Sequence, residues 1–132
     1  MKEDIGKLVL RVAVGAMMLL HGISKLSHGI DGIITNVHAH GLPTAFAYGV
    51  FLGEIIGPLL VVVGSGTRIG AALVAFDMIV AVWLAHAGQL FEAGKSGGWA
   101  LELQGLYFFG AVAIALLGPG RYSLSRGKGR FA

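Results

Sequence analysis

Stretches of about twenty apolar residues occur four times along this chain, at 5–26, 44–64, 67–87 and 98–118. Each matches the ~20 residues that an α-helix needs to cross a ~30 Å hydrocarbon core. Within lipid, only helices or closed barrels satisfy every backbone N–H and C=O. Charged residues make up 13% of the sequence, against about 25% in soluble domains, and mean hydropathy is +0.78. The four stretches use most of the 132 residues. The expected fold is therefore all-α and polytopic: one domain over 1–132, with four transmembrane helices in a four-helix bundle. A loop at 27–43 and a basic tail at 119–132 complete it.

Orientation follows from Lys and Arg near the span ends. Lys2, Lys7, Arg68, Arg121, Arg126, Lys128 and Arg130 fall on one side, against Lys25 and Lys95 on the other, so both termini are expected to be cytoplasmic. The tail supplies much of the net charge of +3 and suits anionic headgroups. It has one Tyr and no folded reader beside it, so nucleic acid is not an expected partner. Lys2 and Lys7 precede the first stretch as in a signal peptide. Arg11 interrupts that stretch and no clean small-x-small site follows, so the helix is expected to be retained. The absence of cysteine excludes dithiol chemistry, thiolate metal ligation and covalent haem attachment to this chain.

Local signals refine the picture. Within the first loop, Ile30, Ile33, Ile34 and Val37 recur at helical spacing and suggest a short interfacial helix. Pro43 suits the first turn of the second span. Only Gly64, Ser65 and Gly66 join the second and third spans, which must be antiparallel neighbours, with Thr67 placed as an N-cap. Gly49, Gly53 and Gly57 form a small-residue stripe on which another helix could pack, and through which the chain could self-associate. Pro58 has no N–H for the carbonyl of Glu54, so a kink and a free acceptor are expected there. The sequence after residue 122 is polar and glycine-bearing, which suggests a mobile end.

Charges inside the spans are the functional candidates, because a charge at the bilayer centre costs about 3 kcal/mol even on mild scales. Arg11, Glu54 and Asp77 form an expected buried polar core. Glu54 and Asp77 are each the eleventh residue of their stretch and share a depth. Arg11 lies about 6 Å from the midpoint of its helix, within reach of Glu54. One reading is a buried ion pair that fixes register; the other is a proton-handling carboxylate beside a ligand or ion path. For Asp77 the options are a partner in Arg11 or a hydroxyl, or a carboxylate pair with Glu54.

The histidines fall on the side opposite the termini: His21 ends the first span, His28, His38 and His40 lie in the loop, and His86 ends the third span. Neutral imidazoles can ligate a divalent metal, and a His21 and His86 pair could hold haem. No regular ligand spacing appears, however, and ordinary hydrogen bonding is the leading expectation. Arg11, His21 and Lys25 fall within an arc of about 80° on the first helix. Glu102 and Tyr107, at the level of His21, could join His21 and Lys25 around a quinone head group. The alternative for Glu102 is an ion pair with Lys25 or Lys95.

Several short runs carry a family resemblance. They are Arg11, Leu20-His21-Gly22-Ile23-Ser24-Lys25, Gly53-Glu54-x-x-Gly57, Gly64-x-x-Thr67-Arg68 and Gly118-Pro119-Gly120-Arg121-Tyr122-Ser123-Leu124. In that order on four apolar helices, they resemble the DoxX/DoxD family of small four-helix bacterial inner-membrane proteins over nearly the whole chain. The closing motif of that family usually continues with Asp, where Ser125 stands here, so any salt bridge from that Asp is missing. The resemblance implies a multi-pass protein of the bacterial inner membrane. It also implies functions found in that family: a membrane subunit of a thiosulfate:quinone oxidoreductase, membrane-associated thiol and oxidative-stress complexes, or the assembly of partner proteins. The expected function is a quinone-interacting or membrane-anchoring subunit of a redox complex, beside a soluble oxidoreductase subunit. The alternatives are a non-catalytic assembly protein and, further off, a small-solute or ion transporter, for which no inverted repeat is evident.

Overall fold

Acidic Glu3 and Asp4 in the first turn and Lys25 and His28 in the last match the macrodipole of α1 (Lys2–His28), which extends beyond 5–26 at both ends. Its 27 residues span about 40 Å. The computed structural model describes residues 1–86, 88, 91–94, 97–129 and 132. Helix α2 (Asp31–Ala39) follows, and buries Ile30 and Val37 against Ala47 and Leu84. Helix α3 spans Ala45–Val63, with π-helical winding at Leu52–Ile56. Helix α4 starts at Thr67, is regular to Ala81 and widens into a π-helical turn at Val82–His86. Helix α5 is Glu102–Leu117.

The first, third and fourth helices are long and apolar enough to cross a membrane. The fifth has 16 residues, about 24 Å, and is shorter than the 98–118 stretch suggested. Ahead of it, Gly94 N–H donates to Gly98 O (2.6 Å) and Ala100 N–H to Glu92 O (3.0 Å), with Gly97 at φ 89°. Among the described residues there is no β-strand beyond an isolated bridge between Ala93 and Trp99.

Helix α4 packs on α3 and α5, and α1 packs on the same two. Val14, Met18, Val61, Val74, Met78, Tyr107, Ala111 and Ile114 fill the centre. Close approach at glycines sets the register. A Cβ at Gly22 would overlap the carbonyl of Glu54, one at Gly53 would overlap the Asp77 side chain, and one at Gly57 would lie 2.8 Å from Gly70 O. Gly53 and Gly57 are thus buried beneath α4 of the same chain. This corrects the reading of Gly49, Gly53 and Gly57 as a self-association face, since only Gly49 stays exposed.

The turn into α4 runs through Gly64 (φ 76°) and Gly66 (φ 59°), a left-handed conformation that L side chains resist. Gly66 takes the N-cap position. Thr67 does not cap: it is the first helical residue, and its buried Oγ1 has no hydrogen-bond partner among the described residues. The closing segment is also tied down further than its composition suggests. Leu124 N–H donates to Val63 O and Ser125 N–H to Gly64 O, both at 3.0 Å, which folds the segment over the end of α3.

Candidate functional site

Gly22 places Glu54 against the C-terminal half of α1, and three residues further on Lys25 reaches it. Lys25 Nζ donates to both carboxylate oxygens of Glu54, at 2.7 and 2.6 Å. Glu54 is 2% exposed and Lys25 32%, so the ammonium is the solvent-side end of the pair. Around Glu54 the backbone is π-wound, with Gly57 N–H donating to Leu52 O. Pro58 explains this: without its N–H the regular ladder cannot pass through the Glu54 carbonyl, which instead lies against Gly22.

Asp77 arrives from α4. With Gly70 one heptad earlier it faces α3, and its side chain lies on the bare backbone of Gly53. It is 8% exposed, its carboxyl lies within hydrogen-bonding range of that of Glu54, and Lys25 is within electrostatic range. Its Oδ2 has no hydrogen-bond partner among the described residues. A buried polar atom of this kind is rare and calls for an explanation.

Beside Asp77 a cavity of about 610 Å³ opens between α2, α3 and α4, within the range of small-molecule sites. Phe46, Val50, Leu73, Phe76, Val80 and Leu84 form its apolar walls, and Lys25, Asn36, Glu54 and Asp77 are its polar side chains.

Arg11 stands apart from this cluster. It is 2% exposed, but its partners are main-chain carbonyls: Val61 (2.9 Å), Val62 (3.3 Å), Pro119 (2.5 Å) and Tyr122 (3.2 Å). The expected pairing with Glu54 is therefore corrected. The α1–α3 register sets Gly22 opposite Glu54, which leaves Arg11 eleven residues, about 16 Å, along α1. There it satisfies the orphan acceptors at the C-terminus of α3. Arg68 does the same for α5, donating through Nη1 to Ala115 O (2.8 Å) and Leu116 O (3.3 Å).

The other candidates disperse. His21 is exposed and meets Tyr107 edge-to-face at 5.5 Å, outside the cavity. Tyr107 is buried within electrostatic range of Glu54 but does not line the cavity. Glu102 is exposed at the start of α5, and its expected partner Lys25 is engaged with Glu54. Lys95 lies outside the described residues. Of His21, Lys25, Glu102 and Tyr107, only Lys25 lines the cavity.

The loop histidines have local partners. His28 Nδ1 donates to Ser24 O (3.0 Å), His38 Nε2 shares a hydrogen bond with Thr44 Oγ1 (2.7 Å), and His40 Nδ1 donates to Asn36 O (2.8 Å) while its ring packs on Trp83 at 4.7 Å. The side chain of His86 lies outside the described part. Among the described residues no three His, Cys, Asp or Glu side chains come together as a metal site.

Two signals for the Lys25–Glu54 pair stand in the sequence: a glycine three residues before Lys25, and a proline four residues after Glu54. Asn36, Phe46 and Phe76 carry no such signal, since their place depends on how α2 docks.

Long apolar helices around a buried ion pair, a second buried carboxyl beside it and a side cavity define a polytopic membrane protein with a polar site inside its bundle. The chain belongs to the DoxX family, whose model matches residues 6–87, a span holding every charged residue of the cavity. It is 40% identical over 79 residues to the Bacillus subtilis protein named "Putative oxidoreductase CatD", covering 60% of this chain and 58% of that one. The chain thus spans less than two thirds of that relative. It is 29% identical over 125 residues to the Escherichia coli "Inner membrane protein YqjF", covering 94% and 92%. A Haemophilus influenzae protein of unassigned function is 32% identical over 115 residues, covering 81% and 84%. No solved structure matches.

Proposed function

We propose that this protein is a membrane subunit of a redox complex, and that its cavity binds the head group of a lipid-soluble quinone. The observation that carries the reading is the Oδ2 of buried Asp77, without a hydrogen-bond partner among the described residues, beside the Lys25–Glu54 pair on the wall of a largely apolar cavity of about 610 Å³. The residues fit such a ligand: an aromatic-walled slot for a ring, with few polar groups to orient it. The name of the Bacillus subtilis relative points the same way.

A quinone bound there would supply two-electron, two-proton redox chemistry. Lys25 Nζ, held in place by Glu54, has donor capacity left to orient a carbonyl. Asp77 is the group left to exchange a proton, since Lys25 is committed to Glu54. Phe46 and Phe76 give that exchange an apolar wall. On this reading a soluble partner carries the electron donor, because the chain has no cysteine.

The same reading places the protein in the bacterial inner membrane with both termini cytoplasmic. Lys7, Arg68, Arg121 and Arg126 gather at one end of the bundle, as the positive-inside rule requires. The cavity then lies in the periplasmic half. Short-chain ubiquinone and menaquinone analogues titrated into purified protein should raise its melting temperature saturably. Asp77→Asn should weaken the half-saturating concentration about tenfold, the scale of one lost hydrogen bond to a charged group. Flat titrations with both analogue types would overturn the proposal.

A further inference from the structure

A second cavity, of about 430 Å³, lies at the opposite end of the bundle, where α1 begins and the closing segment folds back. Lys7, Arg68, Arg121 and Arg126 line it, against a single acidic side chain, Asp4. The cations are not used up internally. Arg68 is spent through Nε and Nη1 on the oxygens of Ala132, Ala115 and Leu116. Lys7 Nζ and the guanidinium groups of Arg121 and Arg126 make no hydrogen bond or ion pair among the described residues. Asp4, whose Oδ1 accepts from the backbone N–H of Arg121 at 3.1 Å, offsets only one of the four positive charges.

The wall is also built rather than loose. Leu124 and Ser125 are bonded to the end of α3, Arg126 N–H donates to Ser123 O (3.1 Å) and Lys128 N–H to Ser125 O (2.9 Å). Arg126 sits at φ 53°, a left-handed conformation that is uncommon for a non-glycine residue and recurs at ligand clamps. Glycines at 118, 120, 127 and 129 keep side chains out of the space between the cations.

We infer that this cavity is a binding site for a phosphate-bearing anion, held by Lys7, Arg121 and Arg126. Three unpaired cations from two chain segments converge on a preformed polar hollow at the membrane surface, and a phosphate can accept from all of them. Two sources share that chemistry: the headgroup of an anionic phospholipid, and a soluble phosphate. The site is independent of the periplasmic-half cavity, about 27 Å along α1 if measured from Lys7 to Lys25.

The test is a thermal melt of the full chain in neutral detergent, with added phosphatidylglycerol, phosphatidylcholine or inorganic phosphate. Phosphatidylglycerol should raise the melting temperature saturably while phosphatidylcholine does not, and added salt should weaken the effect. A rise with inorganic phosphate alone would assign the same site to a soluble anion. The K7Q/R121Q/R126Q variant should need at least tenfold more ligand for the same shift, whereas Lys2→Gln, outside the cavity, should match the parent. Equal shifts with both lipids and none with phosphate would overturn the inference, as would an undiminished shift in the triple variant. If the triple variant does not fold, Arg121→Gln alone decides on the same criterion.

Discussion

Replacing Arg11 with leucine is expected to lower the unfolding free energy by about 4 kcal/mol. The guanidinium is buried, and its donors serve carbonyls of Val61, Val62, Pro119 and Tyr122. Hydrogen bonds to a charged group contribute about 1.5–3 kcal/mol each, and breaking a buried charged contact costs about 3–5 kcal/mol. The substitution removes the clamp that joins α1, the C-terminus of α3 and the closing segment, and leaves orphan acceptors where lipid offers no donor. Arg11→Lys should recover less than half of the loss, because one ammonium cannot reproduce the planar fork. Unfolding in mixed micelles measures both. The same data separate this arrangement from an Arg11–Glu54 pair. The effects of Arg11→Leu and Glu54→Gln should add, as they do for residues without shared partners.

Lys25→Met should be the next most damaging change, at about 3 kcal/mol. It strands Glu54, 2% exposed, without its cation in the bundle interior. The lower end of the usual range applies because Lys25 is about a third exposed. Adding Glu54→Gln to Lys25→Met should restore at least half of the lost stability, since the stranded charge is then gone. The double-mutant cycle, followed by the same unfolding assay, should give a coupling energy above about 1 kcal/mol. Additivity at this pair would mean that the contact contributes nothing.

The fold class was readable because bilayer thickness fixes span length, and because Gly64, Ser65 and Gly66 leave α3 and α4 no choice but to lie side by side. The equal depth of Glu54 and Asp77 follows from that one turn. Axial register between helices distant in sequence was not readable. It is decided by where glycines let backbones meet, and Gly22 against Glu54 moves Arg11 about three turns away from its expected partner. The same uncertainty hid Lys25 as the partner of Glu54 and made a free docking stripe of Gly53 and Gly57. Arg11 shows a further lesson: a buried charge in a membrane helix can be a cap for a neighbouring helix end, as the exposed Arg68 is for α5. Asn36, Phe46 and Phe76 meet only because α2 folds onto α3, which local periodicity does not specify.

The central claim is that a ligand occupies the cavity at Asp77 rather than the surface at His21 and Tyr107. A photoreactive azido-quinone, cross-linked to the protein in liposomes and mapped by peptide mass spectrometry, tests this most directly. The account predicts labelling within 45–54 and 73–84, suppressed by excess unlabelled quinone and reduced in Asp77→Asn. Competed labelling confined to 102–108 on α5, with none on α3 or α4, would contradict it.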